Sequence, residues 1–396
     1  MLIALLTSFM ARPKHEVAEI IHRFRADLEK QYELPVQVKK TLTVLGQCRT
    51  AAMGGHVSVC TDCGSESISY NSCRNRHCPK CQTVNKERWI LARESELLPV
   101  PYYHLVFTLP NCFNELLPRH AKEIYSTLFK ASWQTIQTFA ADHKFLGAKA
   151  GMVSILHTWG QQLWLHPHLH CIVPGGGITK QGKWKSAKYK DKYLFPKRAL
   201  SVVFRAKFME LLRGKMPVPQ SAAKQAFKQS WVVYAKRPFA SPKTVVEYLG
   251  RYTHKVAISN HRLVSVTESE VSFNYKDYAQ HPADKDIGKN KVMKLSGNEF
   301  LRRYVQHILP HGFIRIRHYG FLASKNKAKE LNQAKTEFKQ AQWEKKHYSW
   351  QEIAEEKLDI KLNQCPNCKS NTLKMIRTIE PERGPTSHIK PDLTKW

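Results

Sequence analysis

The sequence predicts an α+β fold, with a helical, cysteine-dense N-terminal module followed by a larger domain in which a central antiparallel sheet is flanked by helices. Three observations carry this reading. Helix-period and strand-period segments are intermixed along the chain, which argues against a doubly wound sheet. Two strand-like runs, GMVSILHTW (151–159) and HPHLHCIV (166–173), lie only a few residues apart, as in an antiparallel hairpin. A glycine turn, PGGG (174–177), closes the second run.

In chain order, residues 14–45 are helical, with Val17, Ile20, Ile21, Phe24 and Leu28 at steps of three and four. The cysteine-dense segment 48–81 follows. WILARESELLPV (89–100) reads as a helix stopping before Pro101, and the alternating YYHLVFTL (102–109) as a strand. Residues 115–146 are helical. The hairpin comes next, then a basic, aromatic stretch over 183–198. Helices are expected at 199–213 and 221–229, and a short strand at WVVYA (231–235). SPKTVVEYLGRYTHK (241–255) opens with an N-cap Ser and a Pro at the first helical position. RLVSVT and EVSFNYK form a hairpin over 262–276, and 325–347 carry a lysine-rich helical pattern. The expected units are an N-terminal helix and cysteine module over 10–98, a sheet domain over 99–323, and a basic helix with a tail over 324–396.

Lys and Arg number 63 against 32 Asp and Glu, a formal net charge of +31. A field of that sign attracts polyanions, so nucleic acid is the expected partner. No stretch reaches the ~18 apolar residues of a membrane span. The opening MLIALLTSFM lacks a basic region and a small-residue cleavage site, and reads as a tail or as an upstream start with Met10 the more natural one. The 10 cysteines cluster as Cys-x-x-Cys pairs, which points to metal in a reducing cytoplasm rather than to disulfides.

Cys60-x-x-Cys63 and Cys78-x-x-Cys81 are separated by 14 residues. Two such thiolate pairs complete a closed tetrahedral zinc site, whose role is structural. Cys48, His56, Cys73 and His77 are either structural neighbours or the ligands of a second zinc. Arg74, Arg76 and Lys80 beside the cluster suit phosphate contact as readily as solvated surface. Cys365-x-x-Cys368 is either half of a site completed from a distance or a free pair.

His168 and His170 are two apart on a strand, so both imidazoles share one face and Leu169 takes the other. A hairpin centred near 162–163 sets His157 opposite His168, making it the natural third ligand of a divalent ion, ahead of Gln161, His166 and His104. A register slip of one would move His157 to the wrong face. Tyr248 and Tyr252, four apart on a helix, present both phenols to one side. Two aromatics on a packing face would look the same. A phenol with a pKa near 10 is a poor nucleophile at neutral pH and needs a metal to polarise the scissile phosphate.

CRTAAMGGH (48–56), NSCRNRHCPKCQ (71–82), LLPVPYYHLVFTLP (97–110), HTWGQQLWLHPHLHCIVPGGG (157–177), YLGRYTHKVAISNHRL (248–263) and ILPHGFIRIRHYGFLA (308–323) run collinearly along nearly the whole chain. In these segments the sequence resembles the two-tyrosine rolling-circle transposases of bacterial insertion sequences of the ninety-one type, within the HUH endonuclease superfamily. The resemblance implies a zinc-binding N-terminal domain and an HUH-type nuclease domain. It implies His168 and His170 as ligands of Mg²⁺ or Mn²⁺, and Tyr248 and Tyr252 as nucleophiles. It also implies single-stranded element ends and target DNA as substrates, and a bacterial, nucleoid-associated location. Arg251, between the tyrosines, is expected to contact DNA. A replication initiator or relaxase of the same superfamily, and a non-catalytic zinc DNA-binding protein, are the competing expectations.

Overall fold

A computed structural model describes residues 13–188, 194–235, 242–278 and 289–382. The first ten residues therefore lie outside the described part.

The N-terminal helical pattern divides at Pro35 into α1 (Val17–Gln31) and α2 (Val36–Gly46). Proline lacks the N–H that a continuous helix would use, so the break falls there. Val17, Ile20, Ile21, Phe24 and Leu28 are all buried, as their spacing predicts. The cysteine segment contains two strands, β1 (Gly55–Cys60) and β2 (Glu66–Tyr70), and ends in α3 (Gln82–Glu94). The larger domain follows as β3 (Tyr102–Thr108), α4 (Leu117–Ala141), β4 (Lys149–Trp159), β5 (Leu165–Pro174), β6 (Gly176–Ile178) and β7 (Trp184–Ser186). It continues through α5 (Lys197–Arg213), α6 (Gln220–Lys228), β8 (Val233–Ala235) and α7 (Pro242–Thr253). Then come β9 (Leu263–Val266), β10 (Glu270–Asp277), β11 (Lys289–Ser296), α8 (Gly297–Val305) and β12 (Ile316–Gly320). The chain closes with α9 (Lys327–Glu337), α10 (Trp350–Leu358) and β13 (Leu373–Ile379).

Among the described residues every strand pairing is antiparallel. The central sheet runs β7-β6-β4-β5-β3-β8, with β12 added beside β4. β9, β10 and β11 make a second sheet, and β1 lies between β2 and β13 in a third. The fold class is the one the sequence predicts.

Side chains alternate along a strand, and this divides the central sheet into two faces. Leu105, Phe107, Leu169 and Cys171 enter a core that also holds Leu128 and Phe129 of α4 and Phe204 and Phe208 of α5. Val153, Ile155 and Ile172 point the other way and share a core with Val245 and Val246 of α7. α7 rests in turn on α3, where a Cβ at Gly250 would meet Ile90 Cδ1 at 2.4 Å. The lysine-rich pattern over 325–347 forms a helix only through Glu337. The segment beyond it returns to the N-terminal module, where β13 pairs with β1.

Candidate active site

β4 and β5 pair with His157 opposite His168, the register the hairpin predicts, and a shift follows between His157 and Trp159. On the same face His104 projects from β3. Ligand nitrogens of His157, His168 and His170 all lie within 4.8 Å of one another.

Each of these three imidazoles has its other nitrogen tied down. His168 Nδ1 is 2.6 Å from the carbonyl oxygen of His166. His157 Nε2 is 2.6 Å from the carbonyl oxygen of Tyr252. His170 Nδ1 is 2.9 Å from His104 Nε2. A nitrogen facing a carbonyl must carry the proton, so His157 keeps its lone pair on Nδ1 and His168 on Nε2. A hydrogen bond donated by His170 Nδ1 to His104 leaves His170 Nε2 as the acceptor, 3.2 Å from His168 Nε2. Orienting partners of this kind characterise metal-ligating histidines.

Burial keeps the cluster neutral. Desolvation is the first cause holding His157 and His170 well below the usual imidazole range, followed by neighbouring imidazoles. Burial likewise lowers His168 to about 4. Neutral imidazole is the form that binds metal. His166 lies outside the three-histidine group, and the Gln161 side-chain oxygen accepts from the Lys276 amide at 3.4 Å.

α7 brings the phenols to this face. The Tyr252 ring centroid is 4.3 Å from that of His170 and 5.8 Å from that of His157, and Tyr248 stands edge-on to His104 at 5.5 Å. Tyr252 Oη donates to Tyr248 Oη at 2.9 Å. The far end of α7 is held by Arg315, a buried residue that sequence reading passed over. Its guanidinium donates to the carbonyl oxygens of Thr253 and, at 3.0 Å, Lys255. A cation there satisfies orphan carbonyls and opposes the negative end of the helix dipole. Burial pushes Arg315 down to about 10, still charged at neutral pH. Lys255 Nζ lies 5.7 Å from the Tyr252 ring centroid. Neither cation stands out in a chain with 63 Lys and Arg.

The thiols are partitioned differently from expectation. Cys48, Cys73, Cys78 and Cys81 form one group, and Cys60, Cys63, Cys365 and Cys368 another. The expected set of Cys60, Cys63, Cys78 and Cys81 is not assembled, and neither is that of Cys48, His56, Cys73 and His77. The reason is topological. Cys60 and Cys63 flank the turn leaving β1 and face the knuckle that precedes β13, whereas Cys78 and Cys81 sit at the start of α3 beside the end of α2. His56 lies within β1, and His77 Nε2 accepts a hydrogen bond from the Leu309 amide at 3.3 Å.

In the first group Cys48 Sγ lies 3.4 Å from Cys81 Sγ and 3.6 Å from Cys78 Sγ, and Cys73 Sγ 3.7 Å from Cys81 Sγ. A zinc tetrahedron with 2.3 Å bonds separates its sulfurs by about 3.8 Å, so the donor set fits that ion.

The basic residues beside the cluster have separate environments. Arg74 is exposed. Lys80 pairs with Glu16 at 2.8 Å. Arg76 is turned inward onto the carbonyl oxygens of Phe313 and, at 3.2 Å, Pro310. The side chain of Arg251 lies outside the described residues.

Comparison with known proteins gives this arrangement a class. The family described as "Transposase zinc-binding domain" matches residues 20–109, and the family described as "Putative transposase" matches residues 151–330. "Putative transposase y4qJ" of Sinorhizobium fredii (strain NBRC 101917 / NGR234) is 39% identical over 95% of this chain and 98% of its own length. "Transposase for insertion sequence element IS801" of Pseudomonas savastanoi pv. phaseolicola is 29% identical over 72% of this chain and 70% of its own. No solved structure matches. The protein is thus a transposase, a class that acts on DNA. It belongs to the insertion-sequence transposases of the IS91 type, with their zinc-binding domain at the N-terminal end. Among the described residues, no helix is long and apolar enough to cross a membrane.

Proposed function

We propose that the chain cuts and rejoins single-stranded DNA at element ends through a 5′-phosphotyrosine intermediate, in a rolling-circle type of transposition. The observation that carries this reading is the approach of the Tyr252 ring to within 4.3 Å of His170, in a cluster whose other imidazole nitrogens are already engaged. His157, His168 and His170 would hold the nuclease metal, which when bound supplies positive charge to the scissile phosphate. Three nitrogen donors match Mn²⁺ better than Mg²⁺, which favours an all-oxygen shell.

A phenolic oxygen of Tyr248 or Tyr252 attacks phosphorus, and the bond to the 3′-oxygen of the preceding nucleotide breaks. The phenol loses its proton and the departing 3′-oxygen gains one. One diester replaces another, so the bond energy is kept for strand transfer. Lys255 is near enough to the phenols to assist in binding phosphate. Two tyrosines allow one strand end to be held while another is cut.

The zinc of the N-terminal module would be bound by Cys48, Cys73, Cys78 and Cys81, with Arg74 facing DNA. As units, we assign the nuclease to residues 99–323 and the zinc module to 10–98, the latter completed by the segment 324–396. A cytoplasmic, nucleoid-associated location follows from such a substrate.

The test is incubation of the purified chain with a single-stranded oligonucleotide from the element's ends and Mn²⁺ or Mg²⁺. The expected result is a protein–DNA adduct that survives a denaturing gel, formed at lower Mn²⁺ than Mg²⁺ concentration. No adduct with either ion would refute the reading.

A further inference from the structure

We propose that the chain binds a second structural zinc, held by Cys60, Cys63, Cys365 and Cys368, which fastens the C-terminal segment to the N-terminal module. The family match to a zinc-binding domain ends at residue 109 and contains only half of this donor set.

The two half-sites are local copies of each other. Cys60-Thr-Asp-Cys63-Gly-Ser and Cys365-Pro-Asn-Cys368-Lys-Ser form the same turn. In the first, the Gly64 amide donates to the Cys60 carbonyl at 2.9 Å, and the Cys60 amide to the Ser65 carbonyl at 3.0 Å. In the second, the Lys369 amide donates to the Cys365 carbonyl at 3.1 Å, and the Cys365 amide to the Ser370 carbonyl at 2.7 Å. The residue after each second cysteine is left-handed, with φ of 71° at Gly64 and 64° at Lys369. Glycine adopts that conformation without cost, but a lysine does not. Its persistence at Lys369 shows the turn maintained against local preference.

The turns then face each other. Cys60 Sγ is 3.5 Å from Cys368 Sγ, and Cys63 Sγ is 3.7 Å from Cys365 Sγ. Those separations are far from the roughly 2.05 Å of a disulfide and near the about 3.8 Å edge of a zinc–thiolate tetrahedron. Hydroxyls of Ser370 and Thr372, each 3.3 Å from Cys60 Sγ, are placed to donate to a thiolate. Cys60 and Cys365 are buried, while Cys63 and Cys368 are exposed. Such a closed four-thiolate set has no open position for substrate, so its role is structural. Pairing of β1 with β13 runs directly out of the two turns, with Cys60 opposite Leu373. Metal and strand pairing therefore act on one junction, between two cysteines 308 positions apart in the chain.

The experiment uses the full chain reconstituted with Co²⁺, read by thiolate-to-cobalt charge-transfer absorption, which the histidine cluster cannot contribute to. The wild type should titrate to two thiolate-bound equivalents. Cys368→Ser should lose one, and Cys81→Ser should lose the other. Hydrogen exchange over 373–379 should accelerate in Cys368→Ser and stay slow in Cys81→Ser. Saturation of the wild type at one equivalent overturns the proposal without reference to any variant, as does retention of both in Cys368→Ser. Protein purified with iron rather than zinc at these thiols would overturn the choice of metal. None of these readings depends on DNA cleavage, so the site stands or falls apart from the nuclease.

Discussion

His104 Nε2 lies 2.9 Å from His170 Nδ1, with the two ring planes 10° apart. If His170 Nδ1 donates to His104, its Nε2 is the nitrogen left to accept the proposed metal. On the proposed function His104 acts as a positioning residue, and His104→Leu should raise the Mn²⁺ concentration for half-maximal adduct formation about 10–100-fold. His104→Gln, which retains an acceptor, should recover part of that loss. Titration of adduct against Mn²⁺ checks this; an unchanged midpoint in His104→Leu, with the protein folded by thermal melt, would remove the assigned role.

The phenols share a hydrogen bond, Tyr252 donating to Tyr248 at 2.9 Å, so their oxygens lie side by side. Tyr248→Phe and Tyr252→Phe should each reduce or abolish transposition in cells. At least one of the two should still form an adduct with a short oligonucleotide, and the double variant should form none. Label should remain with protein only when placed on DNA 3′ of the nick. A double variant that still becomes covalently linked would take these tyrosines out of the mechanism.

Metal and DNA binding should separate. His170→Ala should abolish cleavage while leaving oligonucleotide affinity within a few-fold, because phosphate contacts by Lys and Arg carry binding. Filter binding beside the gel assay tests this, and full cleavage by the variant would contradict the ligand assignment.

Acid should weaken the fold through His307. Burial lowers this imidazole to about 4, with Nε2 3.1 Å from the Leu163 carbonyl. In the unfolded chain it titrates near 6.5. Between those values the unfolded state holds a proton that the folded state does not, so stability rises with pH there. His307's contribution is complete above about pH 6.5 and falls as pH drops toward 4, by on the order of 3 kcal/mol. Thermal melts across that window should be flatter for His307→Gln; an identical slope would count against the assignment.

The zinc module should depend on its metal. Cys78 is buried among the thiols of its group, and Cys78→Ser should cost much of the roughly 10 kcal/mol typical of structural zinc. Chelator should give the wild type the same result, read as accelerated hydrogen exchange in α1 and α2. Slow exchange in both preparations would mean the helices fold without metal.

Much of the candidate active-site face was legible because it depends on short-range periodicities. The two-residue period brings His168 and His170 to one face, the hairpin length sets His157 beside them, and four-residue spacing aligns the tyrosines. The thiol partition was not legible, since Cys-x-x-Cys pairs satisfy a tetrahedron in any pairing and only the path of the chain selects one. β13 escaped notice because its side chains alternate poorly between apolar and polar, and the five from Lys374 to Thr378 are all exposed. Arg315 escaped because a single arginine in a basic chain carries no pattern; its importance comes from burial against the end of α7.

β1 is the middle strand of its sheet, and its two neighbours arrive on very different schedules. β2 leaves the ribosome almost at once, whereas Cys368, just before β13, lies 308 positions after Cys60. At 5–20 residues per second, one edge of β1 waits roughly 15–60 s for its partner. An unpaired edge of that kind is a template for another chain. Each nascent transposase therefore passes through an interval in which its N-terminal module can pair with a neighbour on the same polysome, and a copy interrupted by a stop codon before Leu373 never leaves it.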